Sequence, residues 1–142
     1  MGVVTAVCKS SEKGTAKTDR GQAELITQHG LKGDAHAGGG YRQVSLLSLQ
    51  KIEEFRMKGA QVDFGAFGEN IVADGIDFAC LPLGTKLRCG EALLEITQIG
   101  KACHDRCEIY KRMGDCIMPR EGVFARVLHG GIVKNGDKIN VE

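Results

Sequence analysis

Tryptophan is absent from the chain, aromatic residues make up only 5%, and no apolar stretch reaches the length of a bilayer span. A spanning helix needs roughly 20 predominantly apolar residues, so none is expected here. The apolar start, GVVTAVC, is too short for the h-region of a secretory signal, and the expected compartment is therefore the cytoplasm. Neither sign of charge dominates, since 19 Lys and Arg face 18 Asp and Glu. A protein that grips a phosphate backbone carries a basic excess, so nucleic acid is not an expected partner. Two CxxC pairs, the strong signature of a structural zinc site, are also missing.

What the chain has in quantity is glycine, 20 of 142 residues, within a hydrophobic fraction of 42%. Abundant glycine with few aromatics favours tight turns over long helices, and hence short strands. The length fits one domain, residues 1–142, able to bury about 70% of its unfolded surface without a covalent staple.

Residues 2–8 are β-branched and apolar and predict a first strand buried on both faces. Lys9 to Gln22 is almost wholly polar and reads as a surface loop. Ala23–Thr27 and Val44–Leu47 predict short strands, separated by the glycine-dense HGLKGDAHAGGGYRQ. Ser48 then offers an N-cap to a helix carrying Leu49, Ile52 and Phe55 on one face and ending at Gly59. Strands follow at 70–73, 85–88 and 92–99, with turns at Asp74 and Gly75 and at Cys89 and Gly90. A short second helix fits 104–113, and further strands fit 123–128, 132–134 and 138–141, the last two joined by an Asn135-Gly136 hairpin turn. Hairpin spacing outweighs strand and helix alternation, which predicts a mainly β chain: a mostly antiparallel β-barrel with one or two short helices.

Six cysteines without an export signal are expected to be reduced, which turns attention from disulfides to metal, redox or nucleophilic chemistry. Cys103, Cys107 and Cys116 cluster within fourteen residues. Cys103 lies just past the strongest strand, in KACHDRC, where Lys101, His104 and Arg106 bring positive charge or donors close in sequence. A following helix would add its N-terminal dipole, and each influence stabilises a thiolate, the form that acts as nucleophile and soft metal ligand. The plain alternative is a small core residue, the commonest fate of free cysteine. Cys107 shares a helical face with Cys103, at a separation of about 5–6 Å that suits two ligands on one metal better than a disulfide. A zinc or iron site drawn from Cys103, Cys107, Cys116 and His104, His36 or His129 matches no common template.

His36 and Asp34 in GDAHAGG are candidate ligand-orienting partners or ordinary Asx-turn residues. Arg42, after three glycines and Tyr41, is placed to meet an anion. Arg120 and Arg126 flank an apolar strand with Glu121 between them, so that one arginine can pair and the other bind a charged group. Glu69 and Asn70 form a polar pair before a strand and read most simply as a turn.

Taken together, GDAHAG, RQVSLLS, FGENI, PLGTKLRCGEALLEITQIGKACH, EGVFARVLHGG and VKNGDKI, in that order from about Gly33 to Ile139, resemble the MOSC family, named for the C-terminal domain of molybdenum cofactor sulfurases, in its small stand-alone type. The resemblance implies a β-barrel with a functional cysteine at Cys103, acting as a persulfide carrier or a molybdenum ligand. It also implies molybdenum cofactor as the candidate cofactor, with Arg42, His36, Arg120 and Arg126 as contacts to its phosphate or to the sulfur donor, beside Lys101, His104 and Arg106. A sulfur-handling role makes a cysteine desulfurase, or a protein that makes or accepts molybdenum cofactor, the expected partner. Two alternatives stand beside it: a molybdenum-dependent reductase of N-hydroxylated compounds, and a non-catalytic metal module built on Cys103, Cys107 and Cys116. Any sulfurtransferase or molybdenum chemistry would need a partner, which leaves the chain's status as an enzyme open. No aminotransferase-like segment precedes the module, so pyridoxal phosphate is expected only as a label inherited from fused relatives. Ala102 stands where the family often has proline, and Cys107 and Cys116 add thiols able to resolve a persulfide on Cys103 into a disulfide.

Overall fold

A computed structural model describes residues 2–11, 17–35, 37–40, 42–59, 61–100 and 122–142. In chain order these form β1 (Gly2–Lys9), β2 (Thr18–Asp19), β3 (Gln22–Ile26), β4 (Gly30–Leu31), β5 (Val44–Ser48), α1 (Leu49–Met57), β6 (Ile71–Asp74), a 3-10 turn at Phe78–Cys80, β7 (Lys86–Cys89), β8 (Ala92–Ile99), β9 (Val123–His129), β10 (Gly131–Lys134) and β11 (Lys138–Val141). Strands run in the order β11-β7-β8-β9-β5-β6-β1, and β11 pairs back onto β1, closing a seven-stranded barrel. Closure leaves β2 as an appendage on β1 and places β10-β3-β4 in a separate three-stranded sheet.

All pairings are antiparallel except β5 with β6, which run parallel. The mixed barrel follows from α1, because a parallel neighbour needs a crossover and the helix is that crossover. Ile52 and Phe55 of α1 press on the outer wall against Ala6, Cys8, Leu47, Val72 and Phe124. The helix therefore covers a side of the barrel, with its mouth left to other elements.

Strand alternation divides the apolar residues between two cores. On β9, Val123, Ala125 and Val127 face the filled interior, while Phe124 faces α1. A register shift between Val4 and Ala6 lets β1 send Val4 and Val7 inward and Ala6 and Cys8 outward. β1 therefore feeds both cores, while Val3 near its start stays exposed. Ala23, Leu25, Leu31 and Val133 from the three-stranded sheet join the interior cluster.

Several local expectations give way to tertiary structure. Lys9 to Gln22 is not merely a surface loop: β1 runs to Lys9, β2 pairs with it, and Lys17 is buried. Cys89 ends β7 instead of turning, and the turn falls one residue later at Gly90. Asn135-Gly136 joins no hairpin, since β10 pairs with β3 while β11 pairs with β7 and β1. The tight turn still forms, with Asp137 N–H donating to Lys134 O at 3.0 Å, but the barrel and the small sheet claim the strands on either side of it. Ser48 occupies the N-cap position yet does not cap. Its hydroxyl donates to Ile76 O at 2.7 Å and accepts from Phe78 N–H at 3.2 Å, tying the 3-10 turn to the barrel. The helix expected at 104–113 lies outside the described residues.

Candidate functional site

The longest hairpin arm, β8, ends at Ile99, and β9 resumes at Val123 directly opposite. Gly100 N–H donates to Gly122 O at 2.6 Å. Gly100 and Gly122 are therefore held together at one pinned point, and Cys103, Cys107 and Cys116 fall between them in the sequence. Lys101, Cys103, His104, Arg106, Cys107, Cys116, Arg120 and Glu121, as well as His36, lie outside the described residues.

Arg42 meets this exit point. Its Nε donates to Gln98 Oε1 at 3.0 Å, and its guanidinium carbon lies 5.4 Å from the centre of the Phe124 ring. Gln98 Nε2 donates in turn to Gly100 O at 3.0 Å. A guanidinium held through Nε and stacked on an aromatic face keeps its terminal N–H groups for another partner. Among the described residues, no partner is recorded for those terminal groups.

Upstream, the glycine-rich segment is anchored at both ends. Gln43 is buried, accepts from Val127 N–H at 2.9 Å and donates to Gly40 O at 3.1 Å. At the other end the Asp34 carboxylate receives Lys17 Nζ at 2.7 and 2.9 Å and Ser10 N–H at 3.1 Å. Both members of the ion pair are almost fully buried, with side-chain exposures of 1% and 0%. Burial alone would raise the Asp34 pKa, but the Lys17 hydrogen bond and charge, helped by Ser10 N–H, outweigh it and hold the carboxyl below its ordinary range. Asp34 is thus engaged by Lys17, and its place in GDAHAG is a buried clamp.

Glu69 and Asn70 are also more than a turn. Asn70 Oδ1 accepts Ser45 N–H at 2.9 Å and Nδ2 donates to Cys8 O at 3.1 Å, joining β5 to β1. The Glu69 carboxylate accepts N–H groups from Gly65 at 2.9 Å and Phe67 at 3.0 Å. Gly65 has φ +93°, and a Cβ there would strike the Lys17 carbonyl, so only glycine fits. Burial pushes Glu69 up to about 7, with the backbone donors and Lys17 pulling the other way.

A raised acid favours its protonated form in the native state. The stability from protonated Glu69 is complete below its ordinary value of 4.5 and is lost as pH rises through about 7. Urea unfolding across that window is expected to show a decline on the order of 3 kcal/mol, and Glu69→Gln is expected to flatten it. Asp34 acts in the opposite sense: its contribution is present above its ordinary value of 3.8 and fades as pH falls through its lowered native pKa. A steep decline persisting in Glu69→Gln would assign it to other groups.

Arg126 reaches Glu95 across the β8–β9 pair, with Nε and Nη2 both 2.6 Å from Oε1. Its recorded partner is Glu95, while Glu121 lies outside the described residues. His129 closes β9 at an exposed position. Among the described residues no three His, Cys, Asp or Glu side chains gather to hold a metal, and no helix is long and apolar enough to cross a membrane.

Cys8 and Cys89 are buried, and desolvation followed by nearby carboxylates pushes each thiol up to about 12. Cys80 is exposed, and its Sγ donates to Asp77 Oδ2 at 3.1 Å, a bond that needs the thiol form.

A closed, mixed, seven-stranded barrel with a side-packed helix, and with three cysteines between β8 and β9 in the sequence, defines a small barrel protein of the MOSC type. The MOSC domain matches residues 33–140, and the chain belongs to that family. Among solved structures it is similar to the YUAD protein from Bacillus subtilis, with 19% identity, a TM-score of 0.82 and coverage of 99% of this chain and 96% of that one. It also resembles YiiM from Escherichia coli at 21% identity and a TM-score of 0.65, covering 99% and 69% of the two chains. YiiM from Geobacillus stearothermophilus is similar at 18% identity and a TM-score of 0.68, with 99% and 73% covered. At such identities the likeness concerns the fold. Comparison with curated proteins returned no match.

Proposed function

We propose that this MOSC protein carries sulfur for molybdenum cofactor on Cys103, working in the cytoplasm with a cysteine desulfurase as donor. The observation that supports this reading most is the pinned exit at Gly100, with the Arg42 guanidinium fixed beside it at the base of the segment that carries Cys103. In the transfer, the Cys103 thiolate attacks the outer sulfur of the donor persulfide. The donor's S–S bond breaks, its cysteine leaves as a thiolate that takes a proton from water, and Cys103 keeps the sulfane sulfur. No external oxidant or reductant is required.

The molybdenum cofactor is an anionic, phosphate-bearing group with a metal that favours soft ligands. The barrel interior is filled by side chains, so such a group would lie outside it. Arg42, with terminal N–H groups directed to no described residue, fits an anionic terminus there, and Cys103 would supply the soft ligand. When bound, the cofactor supplies the metal centre that accepts sulfur. The chain's own part is to hold an anion at Arg42 and a thiolate at Cys103.

Incubation with a cysteine desulfurase and cysteine, followed by intact mass and peptide mapping, is expected to place one added sulfur on Cys103. Elemental analysis of protein from a cofactor-competent host separates the competing roles. Molybdenum near one atom per chain without sulfur uptake would favour a cofactor-holding reductase, and stoichiometric zinc with unfolding on chelation would favour a metal module.

A further inference from the structure

Between α1 and β6, residues 62–69 form no strand, yet they cover the core beneath the helix. Val62, Phe64, Ala66 and Phe67 pack there on the cluster that holds Cys8, Phe55 and Val72. Side chains and bends hold the segment in place where a strand would use a ladder. Arg56 donates to Val62 O through Nε at 3.0 Å and Nη2 at 2.9 Å, and it lies over the Phe64 ring. The Phe67 ring meets Phe55 edge-on at 5.6 Å, and Gly65 and Gly68, at φ +93° and +83°, make the bends.

Underneath sits Glu69, with 0% exposure, holding the Gly65 and Phe67 N–H groups from below. Cys8 adjoins it: Cys8 N–H donates to Asn70 O at 2.6 Å, and Asn70 Nδ2 donates to Cys8 O at 3.1 Å. Among the described residues, Lys17 and Cys8 are the charged or titratable groups recorded as facing Glu69. Asp19 also bears on Cys8, Asp34 holds the Lys17 ammonium, and Arg56 of α1 serves Val62 and Phe64. One buried cation therefore stands between two buried carboxyl groups, and its direct contact is with Asp34. When Glu69 also ionises, the cluster carries a surplus negative charge away from solvent. The least disruptive relief is for the segment above to lift, so that the carboxylate reaches water.

We propose that residues 62–69 form a hinged cover latched by the protonated Glu69 carboxyl group, and that loss of this proton lets the cover open and brings solvent to Cys8. Cys8 is then a thiol that the closed fold hides and a rise in pH uncovers, whatever the role of Cys103.

The test is alkylation of the intact folded chain by iodoacetamide, quantified at Cys8 and at Cys89 by peptide mapping. Each rate is divided by that of a free cysteine peptide at the same pH. Cys89 belongs to the other core, inside the barrel, and reports unfolding of the whole. With Glu69 returning on opening from about 7 to its ordinary 4.5, the normalised rate at Cys8 is expected to rise about tenfold between roughly pH 6 and pH 8 and then level off. It is also expected to run ahead of the rate at Cys89 throughout, as a local opening requires. Glu69→Gln cannot ionise and should abolish the rise. Phe67→Ala keeps the latch but removes the contact with Phe55, so it should speed labelling of Cys8 at every pH, leave Cys89 unchanged and retain the rise. A flat profile at Cys8 in the wild type overturns the proposal, as does a rise that survives in Glu69→Gln. Labelling of Cys8 and Cys89 in step at every pH overturns it too, because the opening would then be global. If Glu69→Gln does not fold, Phe67→Ala decides: acceleration confined to Cys8 supports the cover, and equal acceleration of both thiols, or of neither, removes it.

Discussion

In Cys103→Ala, uptake of sulfur from a cysteine desulfurase is expected to fall to background. The reason lies as much in the other thiols as in Cys103. Cys8 packs under α1 and Cys89 closes the barrel interior, and with thiols pushed up to about 12 each is essentially all protonated at neutral pH. A thiol that is not ionised is a poor nucleophile toward a persulfide. Cys80 is reachable but holds its proton in a bond to Asp77. Sulfur found on the wild-type chain should therefore map to the 103–116 segment, and to Cys103 within it. Cys107→Ala and Cys116→Ala are expected to accept sulfur at the first step. They should release less hydrosulfide afterwards if their thiols attack the inner sulfur of the persulfide to form a disulfide. Peptide mapping of the three single variants decides the matter, and sulfur retained on Cys107 in Cys103→Ala would move the carrier role to that residue.

Lys17→Met is expected to destabilise the fold by about 3–5 kcal/mol, because it leaves the Asp34 carboxylate buried without its counter-charge. The expected fall in melting temperature is roughly 10–20 °C. The neutral donors beside Asp34, the Ser10 N–H and the Asn70 side chain among them, supply no counter-charge for a carboxylate in a site with 0% side-chain exposure. Its pKa should rise as the Lys17 interaction disappears, so the variant is expected to recover stability as the pH falls and Asp34 becomes protonated. Asp34→Asn should restore much of the loss when added to Lys17→Met, since the amide oxygen can still accept from Ser10 while no buried charge remains. Chemical unfolding of the two single variants and the double variant closes the cycle. Additive losses would show that the pair contributes little beyond its separate parts.

The same clamp explains why part of the site could be anticipated and part could not. Arg42 was singled out because three glycines and a tyrosine precede it, a context that lets backbone N–H groups approach an anion beside the guanidinium. Lys17 was not, since a lysine in a polar stretch is ordinarily exposed. Only the fold brings Asp34 across from residues far along the chain to pay for its burial. Gln98 reads as one more polar position on a strand, and its hydrogen bond to Arg42, just before β5, appears only in the fold. Glu69 looked like a turn residue because the backbone N–H groups that hold it come from Gly65 and Phe67, whose loop geometry no periodicity records.

Alternating apolar residues, glycine punctuation and one helical stretch were enough to determine a small, mainly antiparallel β-barrel with a side helix, and the order of its segments was enough to place it in the MOSC family. These are consequences of local preference and of which residues must leave water, and the chain carries both. The parallel β5–β6 pair, the separation of β10 from β11, the buried Lys17–Asp34 clamp and the hydrogen bonds from Arg42 through Gln98 to Gly100 were decided by tertiary structure alone. Each depends on a partner distant in sequence, and the stability of a polar group in the interior is set by that partner and not by its neighbours in the chain.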